Sequence, residues 1–398
     1  MLPEAAGRPR RWLGYSGAWL GIGTAPGALL VGAGLAARHH GTIPLASLGG
    51  GLLLIAALVW VQGHVGLHPP LGEGGGLIQL TPRYFTPAMG RIVAALIALG
   101  MTGWYGVNVG MGASALSLLL AVPRWLTAFL LGVPIALLAL RGIRGWNWLA
   151  TVTTACALVL VGLILWRYQA ASAAATMADA PADVAADLAV MLGYVGVFSL
   201  RAPDFTAGLA GRPDLNAVTA LLILPLAAVV FAGAVLAQRS GSSDVFTVLA
   251  GSGGLAFGNL LIALAVIAPT FTTFHSGAPT WRIATGIGER QAMLLMTAIG
   301  LTLAALHFDS LLLPWLSALG AILPPVAVPL VTEFLLRRRG RSPRPVPVWP
   351  WLAGALVAAV LVVVRSPLAM LAGFLITGAG TLLWRLQALP AAPAGENI

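Results

Sequence analysis

Residues 20–30 read LGIGTAPGALL, and this interrupted apolar run decides the fold. It lies inside an apolar segment, 12–37, long enough to cross a bilayer, which takes roughly 20 residues. Gly21, Gly23, Pro26 and Gly27 fall at its middle. Proline removes a backbone donor and glycine loosens the helix, so the run predicts two half-helices with unpaired peptide groups between them. Lipid offers such groups no partner, so a break at this depth has to line a polar cavity inside the protein. A second run, LGYVGVFSLRAPDF at 192–205, carries Gly193, Gly196 and Pro203 and predicts a matching break. Glycine in membrane helices also serves plain close packing. Two breaks in corresponding helices point instead to a carrier made of two inverted repeats, with its cargo held near mid-membrane.

The rest of the chain fits that frame. Of its 398 residues 59% are hydrophobic and 9% charged, with a mean hydropathy of +0.92. Soluble domains carry about a quarter charged residues, so a water-soluble globule is excluded. Apolar segments at 12–37, 44–62, 90–121, 123–140, 145–166, 185–200, 215–237, 255–274, 291–306, 310–336, 349–364 and 366–384 give twelve candidate helices, numbered in words below as spans one to twelve. Arg8, Arg10 and Arg11 before the first run resemble a signal peptide, but the run is too long and eleven more follow, so it reads as a membrane span. The polar insert 168–184 separates the first ten spans into five and five. The expected architecture is all-α and polytopic: a first repeat over 12–166, a second, inverted repeat over 185–336, and two additional helices over 349–384.

All 22 basic residues are arginine. A sequence pI of 11.2 would suggest a nucleic-acid partner in a soluble protein, but these arginines stand between apolar runs and act as topology signals. With twelve spans, 17 of the 22 arginines fall on the side of the two termini and 5 on the other. This places both termini in the cytoplasm of a cell (inner) membrane protein. Cys156 is the single cysteine, so no disulfide or thiolate metal site is expected.

Enzyme motifs are absent: no HExxH, GxxxxGK[ST] or GxSxG occurs, and GIGTAPG lacks the strand and acidic residue of a dinucleotide site. Asp204 and Glu333 fall near span ends, where interfacial capping or pairing is the expected role. Span eight carries APTFTTFHSGAPTW at 268–281, with Thr272 and Ser276 four apart on one face. Its threonines could join unwound carbonyls of span one in an oxygen cage that suits Na⁺, or bond back to their own helix. His275 could carry a proton or simply be packed. In span three, MTGWYGVNVG at 101–110 puts Trp104 and Asn108 on one face. That pairing suits a flat heterocycle, stacked by indole and read along its edge by an amide; helix packing is the plainer alternative.

Several of these pieces together resemble the nucleobase:cation symporter family, the cytosine and hydantoin permeases, which share a leucine-transporter-like fold. The resembling residues are GWYGVN (103–108), the PDF of 203–205 followed by GRPD, TFTTF (270–274) and SALGAILPPVAVPLVTEFLLRRR (317–339), within a likeness from about Leu13 to Arg344. The resemblance implies a secondary transporter that imports a nucleobase-like ring (cytosine, a purine or a thiamine-precursor pyrimidine) by cation symport. It implies Na⁺ held by Gly21, Thr24, Pro269, Thr272 and Thr273, stacking by Trp104, an amide contact from Asn108, and a cargo-facing stretch at Gly193, Tyr194, Val195 and Val197. Val195 stands where the family often has an aromatic, and Ala25, Met101 and Phe274 stand where it has polar groups. The expected pocket is therefore drier, with Tyr194 or His275 replacing lost bonds, and is bordered by Ala25 and Phe274. No cofactor is expected, the partners are the heterocycle and the lipid bilayer, and the chain is expected to act as a monomer. Proton coupling through His275 and a non-transporting membrane sensor are the competing readings.

Overall fold

The computed structural model describes residues 9–142, 146–168, 175–176, 180–251, 253–255, 257–341 and 344–387. Arg8, Arg144 and most of the insert 168–184, which enter the readings above, lie outside these residues. The chain forms helices at all twelve apolar segments. Ten helical stretches are long and apolar enough to cross a membrane: Ser16–Arg38, Leu45–Gly66, Pro87–Leu120, Arg124–Arg141, Trp148–Tyr168, Pro181–Leu200, Arg212–Ser240, Gly258–Thr285, Phe308–Arg338 and Ala369–Gln387. The remaining two, Glu289–Ala305 and Trp349–Val363, have 17 and 15 residues. At 1.5 Å per residue they measure about 22–26 Å, a little under the hydrocarbon thickness. Among the described residues the only sheet is a two-residue parallel pairing of Ile43–Pro44 with Ala175–Thr176.

Span one is broken where the sequence predicts. Helix Ser16–Gly23 ends, Thr24, Ala25 and Pro26 follow, and helix Gly27–Arg38 begins. Pro26 has no N–H to return to the Ile22 carbonyl four residues back.

Span six departs from expectation. Its helix Pro181–Leu200 runs unbroken through Gly193 and Gly196 and is interrupted at Arg201, before the short helix Ala202–Thr206. Gly193 serves packing, not unwinding: a Cβ there would fall inside the Leu316 carbonyl of span ten, whereas one on Gly196 would make only ordinary contacts with Leu319. Pro203 sits in the first turn of the following helix, where its missing N–H costs nothing. The break therefore lies at the proline end of the predicted run, away from the middle of the helix.

Span eight also differs. It is stepped at Val266, between helices Gly258–Ala265 and Ile267–Thr285, and continues 11 residues past the expected end at 274. The polar run HSGAPT lies beyond the expected apolar segment, and Thr280 and its upstream threonines bond back to carbonyls of their own helix. Trp281 adds a bond from Nε1 to Thr102 Oγ1 of span three, 3.1 Å.

Small residues set the closest approaches. Gly32 and Gly233 bring spans one and seven together at the Val230 and Leu29 carbonyls, and Gly23 meets the Leu222 carbonyl of span seven. Gly193 and Gly320 do the same for spans six and ten, and Gly51 admits Met191 between spans two and six.

Charged groups are paired at the two ends of the bundle. On the face opposite the chain ends, buried Asp187 takes Arg38 at 3.0 Å and His39 Nε2 at 2.7 Å, and Arg124 pairs with Asp309. On the terminal face, buried Glu333 takes Arg385 of span twelve and the Arg344 N–H at 3.2 Å. Arg201 pairs with Asp204 at 2.7 Å. Glu73 gathers Arg83 at 2.8 Å, Arg337 at 3.3 Å and the Tyr84 hydroxyl at 2.8 Å. Burial, then the hydrogen bond and charge of Glu73, push the Tyr84 phenol above its usual range.

Gly193→Ala should lower the midpoint of thermal unfolding in detergent, because backbone must move to admit the methyl; overpacking of this kind costs about 1–3 kcal/mol. Gly162→Ala, whose Cβ would meet nothing within 4 Å, should leave the midpoint unchanged.

Candidate functional site

The break in span one opens onto a small central pocket. Span one contributes Ile22 and Ala25, span three Met101, Trp104 and Asn108, span six Tyr194 and Phe198, and span eight Pro269, Thr272 and Thr273. On span three the three residues recur at three and four, one stripe of an unbroken helix. Tyr194 and Phe198, four apart, form the equivalent stripe on span six. Because Gly27 has no side chain, the rings of Tyr194 and Trp104 can lie against the break, 3.4 and 3.5 Å from where its Cβ would be.

The Tyr194 hydroxyl donates to the Ile22 carbonyl at 2.9 Å, which Pro26 leaves without a donor four residues on and which also accepts the Ala25 N–H at 3.3 Å, and lies 3.4 Å from the Ala25 carbonyl. Trp104 is boxed edge-to-face by Tyr194, centroids 5.5 Å apart, and by Trp315 of span ten at 5.0 Å. Phe308 continues the stack onto Trp315 at 5.6 Å. Asn108 is 2% exposed, and its Oδ1 has no hydrogen-bond partner. The Thr272 hydroxyl donates to the Ala268 carbonyl at 3.0 Å and that of Thr273 to Thr270 at 2.6 Å, so both oxygens keep lone pairs to offer.

Seven residues expected from the sequence thus meet at one place: Ala25, Trp104, Asn108, Tyr194, Pro269, Thr272 and Thr273. Six do not border the pocket. Val195 is buried in the core, and Val197 packs at Gly100 of span three. The expectation for both assumed an unwound segment; an intact helix turns them about 100° away per residue. Phe274 is buried against Tyr105, centroids 4.8 Å apart, and His275 is exposed. They follow Thr273 on an intact helix and are rotated off its pocket face. Thr24 donates to the Leu20 carbonyl at 2.7 Å and stands 3.3 Å from Thr154 Oγ1 of span five. Gly21 is buried, yet a Cβ there would meet nothing within 4 Å, so free space adjoins it. Ile22 and Phe198 were not anticipated. Their signals were the proline four residues after Ile22 and the helical spacing from Tyr194.

The pocket holds about 50 Å³, against roughly 300–1,000 Å³ for common ligand sites. It is a contracted chamber between two larger spaces. A vestibule of about 790 Å³ on the face opposite the chain ends is bordered by Arg38, Arg124, Asp244, His307 and Asp309. An apolar cavity of about 560 Å³ toward the terminal face is bordered by Leu77, Phe85, Ile97 and Thr280. Trp315 and Phe308 link the chamber to the vestibule edge. On the other side, Met101 and Met296 pack against Gly277. No group of three His, Cys, Asp or Glu gathers among the described residues, so the chamber's oxygens are neutral. Such a lining suits a monovalent hard cation better than a divalent or soft one.

This geometry is that of a polytopic helical bundle with a central chamber. The fold has solved counterparts. An inward-facing conformation of Mhp1 matches with a TM-score of 0.71 and 16% identity over 98% of this chain and 95% of that one. A closed conformation of Mhp1, a nucleobase-cation-symport-1 family transporter, with bromovinylhydantoin bound, matches with a TM-score of 0.68 and 16% identity over 99% of this chain and 98% of that one. The Eremococcus coleocola manganese transporter is more distant, with a TM-score of 0.55, 16% identity, and 96% and 89% coverage. No protein-family model and no curated protein matches the chain. The chain thus has the polytopic fold of Mhp1, and these neighbours are transporters, not enzymes.

At the vestibule, Arg124→Gln should strand Asp309, 6% exposed, without its cation, at a cost of about 3–5 kcal/mol. Thermal unfolding of the single variant and of Arg124→Gln with Asp309→Asn checks this: the double variant should recover most of the loss.

Proposed function

We propose that this protein is a secondary transporter that imports a nucleobase-like heterocycle by Na⁺ symport. The observation that carries the reading is the convergence of Trp104, Asn108 and Tyr194 on the break in span one, in a small central chamber. Trp104 presents indole surface to a planar ring, and the buried Asn108 amide reads its edge. Thr272, Thr273 and the Pro269 segment border the same chamber and, with Gly21 and Thr24 on the facing helix, supply the cation with hydroxyl and carbonyl oxygens. Na⁺ drives the cycle only so far as it binds the outward-open and inward-open arrangements differently. Ordering the chamber wall when cation and ring are both bound provides that difference, and closure of the bundle then moves the chamber from one face to the other.

A carrier of divalent metal, the other cargo among the solved counterparts, would require charged oxygen or soft ligands that the chamber lacks. The protein acts in the cell membrane, with both termini on the cytoplasmic side, and works as a monomer.

Proteoliposomes loaded with potassium salt and given radiolabelled uracil or hydantoin test the reading. Accumulation above equilibrium that depends on an inward Na⁺ gradient is the expected result; binding without movement sinks it. Trp104→Ala should weaken ring binding at least about tenfold while the protein still folds. Thr272→Ala combined with Thr273→Ala should abolish the Na⁺ dependence, and uptake that follows a pH gradient in place of Na⁺ would reassign the coupling ion.

A further inference from the structure

A crevice apart from the chamber lies on the face opposite the chain ends, between spans one, six and ten and the turn that joins spans eleven and twelve. It holds about 420 Å³. Ala189, Leu313, Val362 and Val363 give it an apolar wall. Val363 is 80% exposed and is followed by exposed Val364 and Leu368, so that wall runs out onto surface that lipid covers. The polar side chains at the crevice are Arg38, Arg365, Ser317 and Ser366; no carboxylate borders it. Arg38 gives one guanidinium nitrogen to buried Asp187 at 3.0 Å, which leaves other N–H groups of its fork to offer. Asp187 also takes His39 Nε2 at 2.7 Å. Even with Asp187 counted against Arg38, Arg365 keeps the crevice positive.

Arg365 has no side-chain hydrogen bond or ion pair among the described residues. It also stands where glycine is usual. Span eleven closes with the Arg365 N–H on the Val362 carbonyl and the Ser366 N–H on that of Leu361, a corner that puts Arg365 at φ 58°, in the left-handed region that side chains seldom adopt. A plain interfacial anchor needs neither this corner nor a crevice beside it.

We propose that the crevice binds an anionic phospholipid from the leaflet on that face, with its phosphate held by Arg365 and Arg38 and an acyl chain along Leu313, Val362 and Val363. Guanidinium groups give a phosphate charge-assisted hydrogen bonds, and basic pockets between membrane helices take lipid headgroups on that account. A zwitterionic headgroup fits less well, because its ammonium meets no carboxylate at the rim. Arg38 ends span one and Arg365 lies between spans eleven and twelve, so the lipid ties these segments together. The site is independent of which cargo the chamber holds.

Native mass spectrometry of the full-length protein in detergent, titrated with phosphatidylglycerol or with phosphatidylcholine of the same acyl chains, tests the proposal. Phosphatidylglycerol should bind at least about tenfold more tightly. Arg365→Gln should remove most of that preference, whereas Arg167→Gln, at an exposed arginine away from the crevice, should keep it. Equal binding of the two lipids overturns the site, as does a preference that survives Arg365→Gln or falls equally in Arg167→Gln. Inorganic phosphate that binds as tightly as phosphatidylglycerol overturns the lipid as occupant. Should Arg365→Gln not fold, Val363→Glu, which sets a carboxylate at the exposed mouth of the crevice, gives the same readout.

Discussion

A peptide carbonyl that loses its helical donor inside a bilayer has to find another partner within the protein. Here the Ile22 carbonyl takes the Ala25 N–H at 3.3 Å and, across the bundle, the Tyr194 hydroxyl at 2.9 Å, and the centre of the molecule is arranged around that second bond. It joins spans one and six. It also holds the Tyr194 ring edge-on to Trp104, which sets the chamber's width. The break can therefore persist in an apolar surrounding without water, and the remaining lining needs few polar groups.

Charge is handled by the opposite strategy. The buried carboxylates lie toward the two faces, and several bridge segments distant in sequence: Asp187 joins the ends of spans one and six, Asp309 reaches Arg124, and Glu333 holds span twelve through Arg385. Each pair is expensive to split once buried, so the faces are cinched while the middle stays neutral. Part of the arginine excess on the terminal side is thereby explained without reference to topology. Arg83, Arg201, Arg337 and Arg385 are counterions of Glu73, Asp204 and Glu333.

Much of this was legible in the sequence, because lipid imposes a simple grammar of long apolar runs and rare polar interruptions. The break at Thr24–Pro26 could be read directly, since a proline flanked by glycines has few other uses at that depth. Trp104 and Asn108 followed from helical spacing. The glycines of span six could not be read the same way: Gly193 and Gly196 look like Gly21 and Gly23, and only the neighbouring Leu316 carbonyl reveals the packing role of Gly193. The same ambiguity shortened span eight, whose Ser, Gly and Pro residues continue the helix. The family resemblance, carried through PDF, placed Val195 and Val197 in the chamber, whereas the intact helix offers Tyr194 and Phe198. Partners contributed from far along the chain, such as Trp315 on Trp104, left no local trace.

The glycine contacts of span one bear on how such a molecule can move. Gly23, before the gap, and Gly32, after it, both press on span seven. A rod splinted to one neighbour on either side of a fracture does not flex at the fracture. The two pieces travel with their splint as a unit, and the slack for any rearrangement has to come from the joints between that unit and the walls built by spans three and eight.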